Sequence, residues 1–313
     1  MIKEVLKMVE QLEAEEQALQ GDAPELALRR RQLERDRREL LESCHDLPAE
    51  DRVYLARHPR RPKIDDYIAE IFTDFFEQRG DRQCREDASI LGGVALFHGR
   101  PVTVIGHRKG HNMQESMKYN FGMPGPEGYR KALRLMEQAQ KFGRPIITFI
   151  DTPGAYPGKE AEERGQGEAI ARNLAEMSKL DVPVIAVVTG EGSSGGALAL
   201  GVANRVLMLE NAIYSVLSPE GFASILWRDA ARSQEACRVM KLTAQDLKEG
   251  GVIEQVITEP DGGAQADPGA LFAQVDKALQ KNLEELCGMS AAQLREQRYE
   301  KFRRIGRGTE ESA

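Results

Sequence analysis

Apolar residues in the first 43 positions recur at helical spacing, whereas those in the middle of the chain form short continuous runs. The helical stripes consist of Val5, Val9, Leu12 and Leu19, followed by Leu26, Leu33 and Leu40. The segment Gly21-Asp22-Ala23-Pro24 separates them, and glycine favours the end of a helix while proline favours its first turn. The pattern predicts two helices within residues 3–43 that fold back as an antiparallel hairpin.

A second pattern follows a predicted linker at 58–62 and a predicted amphipathic helix at 64–79. From Ile90 to about Ile257, apolar β-branched runs alternate with segments of helical spacing. The predicted strands are 91–97, 102–106, 146–150, 184–189, 205–209 and 212–216, and the predicted helices are 127–142, 163–179 and a segment beginning at 196. This alternation is typical of an α/β fold with mostly parallel strands. A loop at 261–269 and a helix from 270 to about 302 are predicted to follow, with a charged tail.

The patterns divide the chain into an N-terminal hairpin and linker (1–62), an α/β core (63–260) and a C-terminal helical segment with its tail (261–313). The 313 residues are 41% hydrophobic, enough for a sizeable core, and their net charge of −7 does not favour nucleic acid. Arginines between positions 29 and 38 are interleaved with acidic residues, so an ion-paired helix face is favoured over a nucleic-acid surface.

Targeting signals and cysteine spacing narrow the class of protein further. No apolar run approaches the ~20 residues of a membrane span, and the N-terminus lacks the features of a signal peptide. We therefore expect a cytoplasmic protein without a membrane partner. The cysteines lie far apart, at 44, 84, 237 and 287, and form no C-x-x-C pair, so neither a zinc ribbon nor a disulfide framework is expected.

Two glycine-rich turns follow consecutive predicted strands. The first covers residues 151–158 and the second residues 190–197, where a helix is predicted to begin. Backbone N–H groups at the start of a helix lack intrahelical acceptors and bind anions. Two such turns could place two donors around one oxygen and stabilise an enolate or a similar anion.

The second turn also matches G-x-S-x-G, the pattern of a nucleophile elbow, with Ser194 as the nucleophile. That interpretation needs a histidine base after the serine, but all five histidines precede it, so it is disfavoured. The Asp151-Thr152-Pro153-Gly154 segment resembles a GTPase turn, yet the chain has no G-x-x-x-x-G-K-[ST] loop. Nor does it contain a strand-linked G-x-G-x-x-G with an acidic residue about 20 positions later.

Charged residues near strand ends leave two interpretations open. The loop at 106–111, with Arg108 and Lys109, and nearby Lys118 could bind a phosphorylated ligand or an anionic swinging arm, or could be an ordinary charged loop. Glu220 could act as a general acid or base, although a first-turn carboxylate facing a helix dipole is favoured.

Four segments in order, 123–132, 151–158, 190–199 and 218–227, resemble the α subunits of bacterial acetyl-CoA carboxylase carboxyltransferases, in the crotonase-like (ClpP/crotonase) superfamily. The resemblance runs from the hairpin to near the C-terminus and implies a ββα spiral core. One departure is Ser193, where the family usually has glycine. Serine should be tolerated there unless the position needs a positive φ.

The resemblance implies an enzyme whose active site is shared between two kinds of chain. The carboxyl donor would be carboxybiotin, carried on a separate biotin carboxyl carrier protein, and the acceptor acetyl-CoA, giving malonyl-CoA for fatty acid synthesis. A zinc-ribbon β subunit would complete an α₂β₂ assembly, with biotin carboxylase in the larger complex. No metal is expected in this chain, and it has no Met-Lys-Met biotin-attachment site, since Lys118 lies in Met117-Lys118-Tyr119.

The resemblance also implies roles for particular residues. The turns containing Gly154, Ala155, Gly195 and Gly196 would stabilise the negative charge on the ureido oxygen of biotin. The substrate-binding candidates are Arg108, Lys109, Lys118, Tyr156 and Glu220. Two alternatives stay open: a stand-alone crotonase-like hydrolase or lyase, and a non-catalytic scaffold or nucleic-acid-binding subunit.

Overall fold

The computed structural model describes residues 2–19, 21, 24–44 and 46–307. The helices are α1 (Ile2–Ala18), α2 (Pro24–Glu42), α3 (Ala49–Ala56), α4 (Ile64–Ile71), α5 (Met113–Lys118), α6 (Pro126–Lys141), α7 (Lys159–Glu163), α8 (Gln166–Lys179), α9 (Ser194–Leu198), α10 (Pro219–Trp227), α11 (Ser233–Val239), α12 (Ala244–Glu249), α13 (Pro268–Cys287) and α14 (Ala291–Arg304). The strands are β1 (Thr73–Glu77), β2 (Ile90–Phe97), β3 (Arg100–His107), β4 (Ile146–Thr152), β5 (Val184–Ser193), β6 (Arg205–Leu209), β7 (Ile213–Ser215) and β8 (Gln255–Ile257).

Within the described ranges, these strands form one sheet in the order β1-β2-β3-β4-β5-β6-β8, with β7 also paired to β5. The β1–β2 and β2–β3 pairs are antiparallel and the other pairs are parallel. The predicted α/β fold with mostly parallel strands is therefore confirmed. Because β4 and β5 are parallel neighbours, their carboxyl ends meet at one edge of the sheet. Both glycine-rich turns begin at that edge.

The central strands are covered on both faces. Every residue of β4 and β5 is buried, as expected for parallel strands between helical layers. Helix α6 contacts β2, β3 and α8, while α13 contacts β5, β8 and α4. Side chains of α13 and α14 belong to the same apolar core as the strands. The proposed division at residues 62 and 260 stays a prediction.

The N-terminal hairpin was predicted correctly. Helices α1 and α2 contact each other, and α1 also packs against α3 through a small apolar cluster containing Ile2, Leu6 and Leu55. Arg29 pairs with Glu15 across the hairpin, with 2.5 Å between nitrogen and oxygen. The arginine-rich face therefore has carboxylate partners. Residues 22 and 23 of the predicted turn and the tail from 308 onward lie outside the described residues.

The predicted helix at 64–79 is wrong in its second half. The helix ends at Ile71, Phe72 is extended with φ −117°, and residues 73–77 form the edge strand β1. A side chain at Gly93 of β2 would collide with the backbone of Phe76, so this glycine lets the two strands approach closely. Pairing with β2, a non-local contact, thus overrides the local helical pattern.

Three other predicted boundaries differ. The helix predicted at 163–179 begins at Gln166, directly after Gly165, whose φ is +86°, and Glu163 belongs to the preceding helix α7. The C-terminal helix is interrupted at Gly288–Ser290, where the Ser290 hydroxyl caps α14. The strand predicted to end at Thr189 continues to Ser193, because residues 191–193 pair with β7. Part of the second glycine-rich segment is therefore strand, and its turn begins at Ser194.

Candidate functional site

The first turn follows β4, and one of the N–H groups of this turn already has a hydrogen-bond acceptor. The Gly154 N–H donates to Thr152 Oγ1 at 3.0 Å, and Gly154 has a φ of +140°, which glycine adopts readily. The next amide, that of Ala155, has no acceptor among the described residues. The Ala155 N–H is therefore the available donor of this turn.

The second turn begins α9 directly after β5. Ser193 is the residue before the helix and its side chain makes no capping hydrogen bond. Gly195 and Gly196 lie in the first turn of the helix, where N–H groups have no intrahelical acceptor. The turn therefore presents amide donors at the N-terminal end of α9.

The structure brings the two turns into contact. A Cβ atom added to Gly196 would lie 2.5 Å from the Ala155 nitrogen and 2.8 Å from the Gly154 carbonyl carbon. A side chain at Gly195 would meet only Ile170, at 3.5 Å. Only glycine at 196 leaves room for this approach, so the backbones of the two turns lie directly against each other.

The two serines between strand and helix have different backbone conformations. Ser193 has φ −124°, which any residue adopts, so the position does not require glycine. Ser194 has φ +58°, an uncommon value for a serine, and its side chain is exposed. No histidine hydrogen bonds to Ser194 among the residues described, so the structure supplies no base for a nucleophilic serine.

A partly buried ion pair lies between the ends of β4 and β5. Asp151 Oδ1 accepts a hydrogen bond from Lys109 Nζ at 2.6 Å and another from the Glu191 N–H at 3.0 Å. Burial favours a neutral Asp151, but the ammonium groups of Lys109 and Lys63 and these hydrogen bonds lower its pKa to about 2. Asp151 is therefore ionised and ties the end of β4 to the end of β5.

Arg57 extends this network to α10. Its guanidinium pairs with Glu191 at 2.6 Å and with Glu220 at 2.8 Å. Glu220 lies in the first turn of α10, where the Ser218 hydroxyl accepts the Gly221 N–H. Burial opposes ionisation of Glu220, but Arg57 lowers its pKa below the ordinary value. An ionised, paired carboxylate in a first turn fits the favoured capping interpretation better than acid–base chemistry.

The basic loop holds two differently placed cations. Arg108 makes two hydrogen bonds to Asp65, at 2.5 and 3.1 Å, and its guanidinium carbon lies 4.4 Å from the centre of the Tyr119 ring. Lys118 is exposed, with its ammonium 5.3 Å from the same ring. Arg108 and Lys109 are thus both engaged within the chain, whereas Lys118 extends towards solvent.

Tyr156 contributes through its backbone. Its N–H donates to the Pro124 carbonyl at 2.9 Å, and its own carbonyl accepts from Gln166 Nε2 at 3.0 Å. Gln166 also donates to the Pro124 carbonyl, at 2.9 Å. These bonds fix the chain just after Ala155. The half-buried Tyr156 ring packs against Gly158, where a side chain would collide with it.

His107 lies buried beneath the second turn. Burial lowers the pKa of His107 to about 4, and the backbones of Gly196 and Phe149 lie beside its ring. Within the described ranges, neither ring nitrogen has a hydrogen-bond partner of good geometry. The imidazole is therefore neutral near pH 7.

An apolar pocket opens beside the second turn. It has a volume of about 390 Å³, and its wall includes Gly195, Leu198, Tyr214, Val216 and Phe302. Sequence patterns missed it because its walls come from elements far apart in the chain. They likewise missed Arg57, which falls within the predicted N-terminal region, because nothing in the local sequence links it to Glu191.

No helix in the described ranges is both long and apolar enough to cross a bilayer.

Amide-lined turns at the ends of neighbouring parallel strands, on a sheet covered by helices, define a crotonase-fold protein. Solved structures with this fold include transcarboxylase 12S, with a TM-score of 0.60 and 21% identity over 79% of this chain and 44% of the other. The β subunit of Pseudomonas aeruginosa geranyl-CoA carboxylase gives a TM-score of 0.58 and 15% identity over 79% and 46%. This chain spans less than half the length of each.

The match to curated sequences is more specific. The family model "Acetyl co-enzyme A carboxylase carboxyltransferase-like" matches residues 1–306, and the chain belongs to this family. Acetyl-coenzyme A carboxylase carboxyl transferase subunit alpha of Anoxybacillus flavithermus is 60% identical over 82% of this chain and 79% of its own length. The protein of that name from Listeria monocytogenes serotype 4b is 57% identical over 83% and 82%. The resemblance seen in the sequence and the crotonase-like fold are confirmed.

Proposed function

We propose that this chain, together with a β subunit, transfers a carboxyl group from carboxybiotin to acetyl-CoA and produces malonyl-CoA, the first committed step of fatty acid synthesis. Membership of the family and relatives of 57–60% identity support the reaction class. The observation that carries the proposal is the contact between the two turns, where only glycine at 196 leaves room beside the Ala155 amide. The reaction would take place in the cytoplasm.

The chain contributes backbone donors to this chemistry. Carboxybiotin supplies an activated carboxyl group, and its release leaves negative charge on the ureido oxygen. The amides of Ala155, Gly195 and Gly196 border the space that would receive this oxygen, and one such donor is worth ~3 kcal/mol of barrier. The Asp151 ion pair holds the two turns at a fixed separation, so the donors need no rearrangement when charge develops. No side-chain base from this chain is required.

A second anionic oxygen develops on the thioester of acetyl-CoA. The turns at 151–158 and 194–196 account for the first oxygen, so we assign the second to the zinc-ribbon β subunit in an α₂β₂ assembly. A carrier protein would deliver the biotin, and biotin carboxylase would recharge it. A solved malonate decarboxylase from Pseudomonas is a hetero-tetramer, and its similar chain gives a TM-score of 0.57 at 17% identity over 68% of this chain and 84% of its own.

The chain, the β subunit and their mixture should be assayed separately for malonyl-CoA formation from acetyl-CoA and carboxybiotin. We expect activity only in the mixture, and light scattering should show a complex with equal numbers of both chains. A stable monomer of this chain that forms malonyl-CoA unaided would refute the shared site.

A further inference from the structure

A cavity of about 430 Å³ opens next to the first turn, on the side of the basic loop. Its wall includes Pro153, the residue before Gly154, together with Lys63, Lys109, Arg57 and Glu191. Met113 and Phe121 line another part of it, and both are exposed, at 68% and 46% of their surface. The cavity therefore combines a charged wall with an apolar one, as ligand sites commonly do.

Two of the three Lys and Arg side chains on this wall are held in direct ion pairs. Lys109 is paired with Asp151 and Arg57 with Glu191, both at 2.6 Å. Lys63 has neither a carboxylate within ion-pair distance nor a hydrogen-bond acceptor for its ammonium in the part of the chain that the structure describes. Among the described residues, the Lys63 ammonium is thus left without a direct ion pair, although the charge of Asp151 acts on it from farther away.

Lys63 is 7% exposed, and its Nζ is not fully enclosed by protein atoms. Lys63 is also one of the residues that line the cavity. Burial lowers the pKa of Lys63, partly offset by Asp151. A buried cation without a partner costs stability, so its presence here points to a ligand that compensates it.

We propose that this cavity binds an organic anion, with Lys63 receiving its carboxylate or phosphate group and Met113 and Phe121 contacting its apolar part. The identity of the natural ligand rests on the proposed function. Both reactants of that reaction are anionic, because carboxybiotin carries a carboxylate and acetyl-CoA carries phosphates. Arg108 is committed to Asp65, so the anion-binding cation of this region is Lys63 rather than the basic loop.

The test compares the full chain with Lys63→Met, and with Lys179→Met as the control. Lys179 is 67% exposed on α8 and pairs only with the neighbouring Glu176. Thermal unfolding is followed while inorganic phosphate or acetate is added as the anion probe. We expect Lys63→Met to bind at least one probe about tenfold more weakly than the wild type and the control. Without added anion, Lys63→Met should melt at a higher temperature than the wild type. Lys63→Arg should restore binding.

Kinetics with the β subunit then identify the natural ligand. If Lys63→Met raises the KM for acetyl-CoA about tenfold, with kcat less changed, the group that Lys63 binds is a phosphate of acetyl-CoA. If it raises the KM for the carboxylated carrier in the same way, that group is the carboxylate of carboxybiotin. Equal affinities of wild type and Lys63→Met for both probes would overturn the proposal. If the wild-type mixture forms no malonyl-CoA, the proposed function fails, while the anion titration still decides the site.

Discussion

Replacing Gly196 with alanine tests the amide-lined site with the smallest possible change. The added Cβ would lie 2.5 Å from the Ala155 nitrogen, and ordinary contact begins at 3.4 Å. The two turns must therefore separate by about 0.9 Å. The Tyr129 hydroxyl, 2.8 Å from the same position, blocks movement of the new methyl group on another side.

A displacement of this size falls on the donors themselves. Misplacing a catalytic group by about 1 Å costs on the order of 10²-fold in rate. Losing one oxyanion donor costs about 10²–10³-fold in kcat. We therefore expect kcat of Gly196→Ala to fall about 10²-fold, with little change in KM, because the donors act on charge that develops during the reaction. Valine at this position should be at least as damaging.

The assay is malonyl-CoA formation by the variant mixed with the β subunit. Gly167→Ala on α8 is the matched control, because no atom lies within 4 Å of a Cβ built there and its φ is not positive. The control should retain kcat within about threefold of wild type. Circular dichroism and co-purification with the β subunit establish that both variants fold and assemble. A kcat of Gly196→Ala close to that of the control would refute the role of this contact.

Three further predictions concern neighbouring residues. Asp151→Asn leaves the partly buried Lys109 without its carboxylate, so urea titration should show a loss of about 2 kcal/mol in unfolding free energy; a loss below about 1 kcal/mol would contradict the structural role of the pair. The pKa of His107 is 6.5 in the unfolded chain and about 4 in the folded chain, so between these values the unfolded state binds more protons. The unfolding free energy should therefore fall as pH drops through this window, by up to about 1.4 kcal/mol per pH unit. His107→Gln should remove that slope in acid denaturation curves. Ser194→Ala should keep kcat within about threefold, whereas a nucleophilic serine would demand inactivation.

The strands that were predicted well have local sequence signals. Strands β4 and β6 are continuous apolar runs, because both faces of the sheet are covered, and such runs are visible without knowledge of the fold. Strand β1 has no such signal. Its conformation depends on backbone pairing with β2 at Gly93, so periodicity extended α4 through it.

Some features of the candidate site also have local sequence signals, whereas others do not. Both turns were visible in the sequence, because glycines after apolar runs mark them. The partners of the charged residues were not visible. Arg57 pairs with Glu191, which lies 134 positions later in the chain, and the Arg108 guanidinium pairs with Asp65, 43 positions earlier. Such pairings follow from the sheet order rather than from spacing, so a basic loop that suggested ligand binding is largely engaged within the chain.

A site made of main-chain amides has a consequence for how it can be studied. The N–H donors of Ala155 and Gly196 do not titrate in the working range of an enzyme, and neighbouring Asp151 and His107 titrate at about 2 and about 4. Alanine scanning also retains every main-chain N–H and displaces these donors only where a tightly packed glycine is replaced, as at Gly196. A pH–rate profile of carboxyl transfer should therefore contain no ionisation from these donors, and any ionisation seen above pH 6 belongs to other groups.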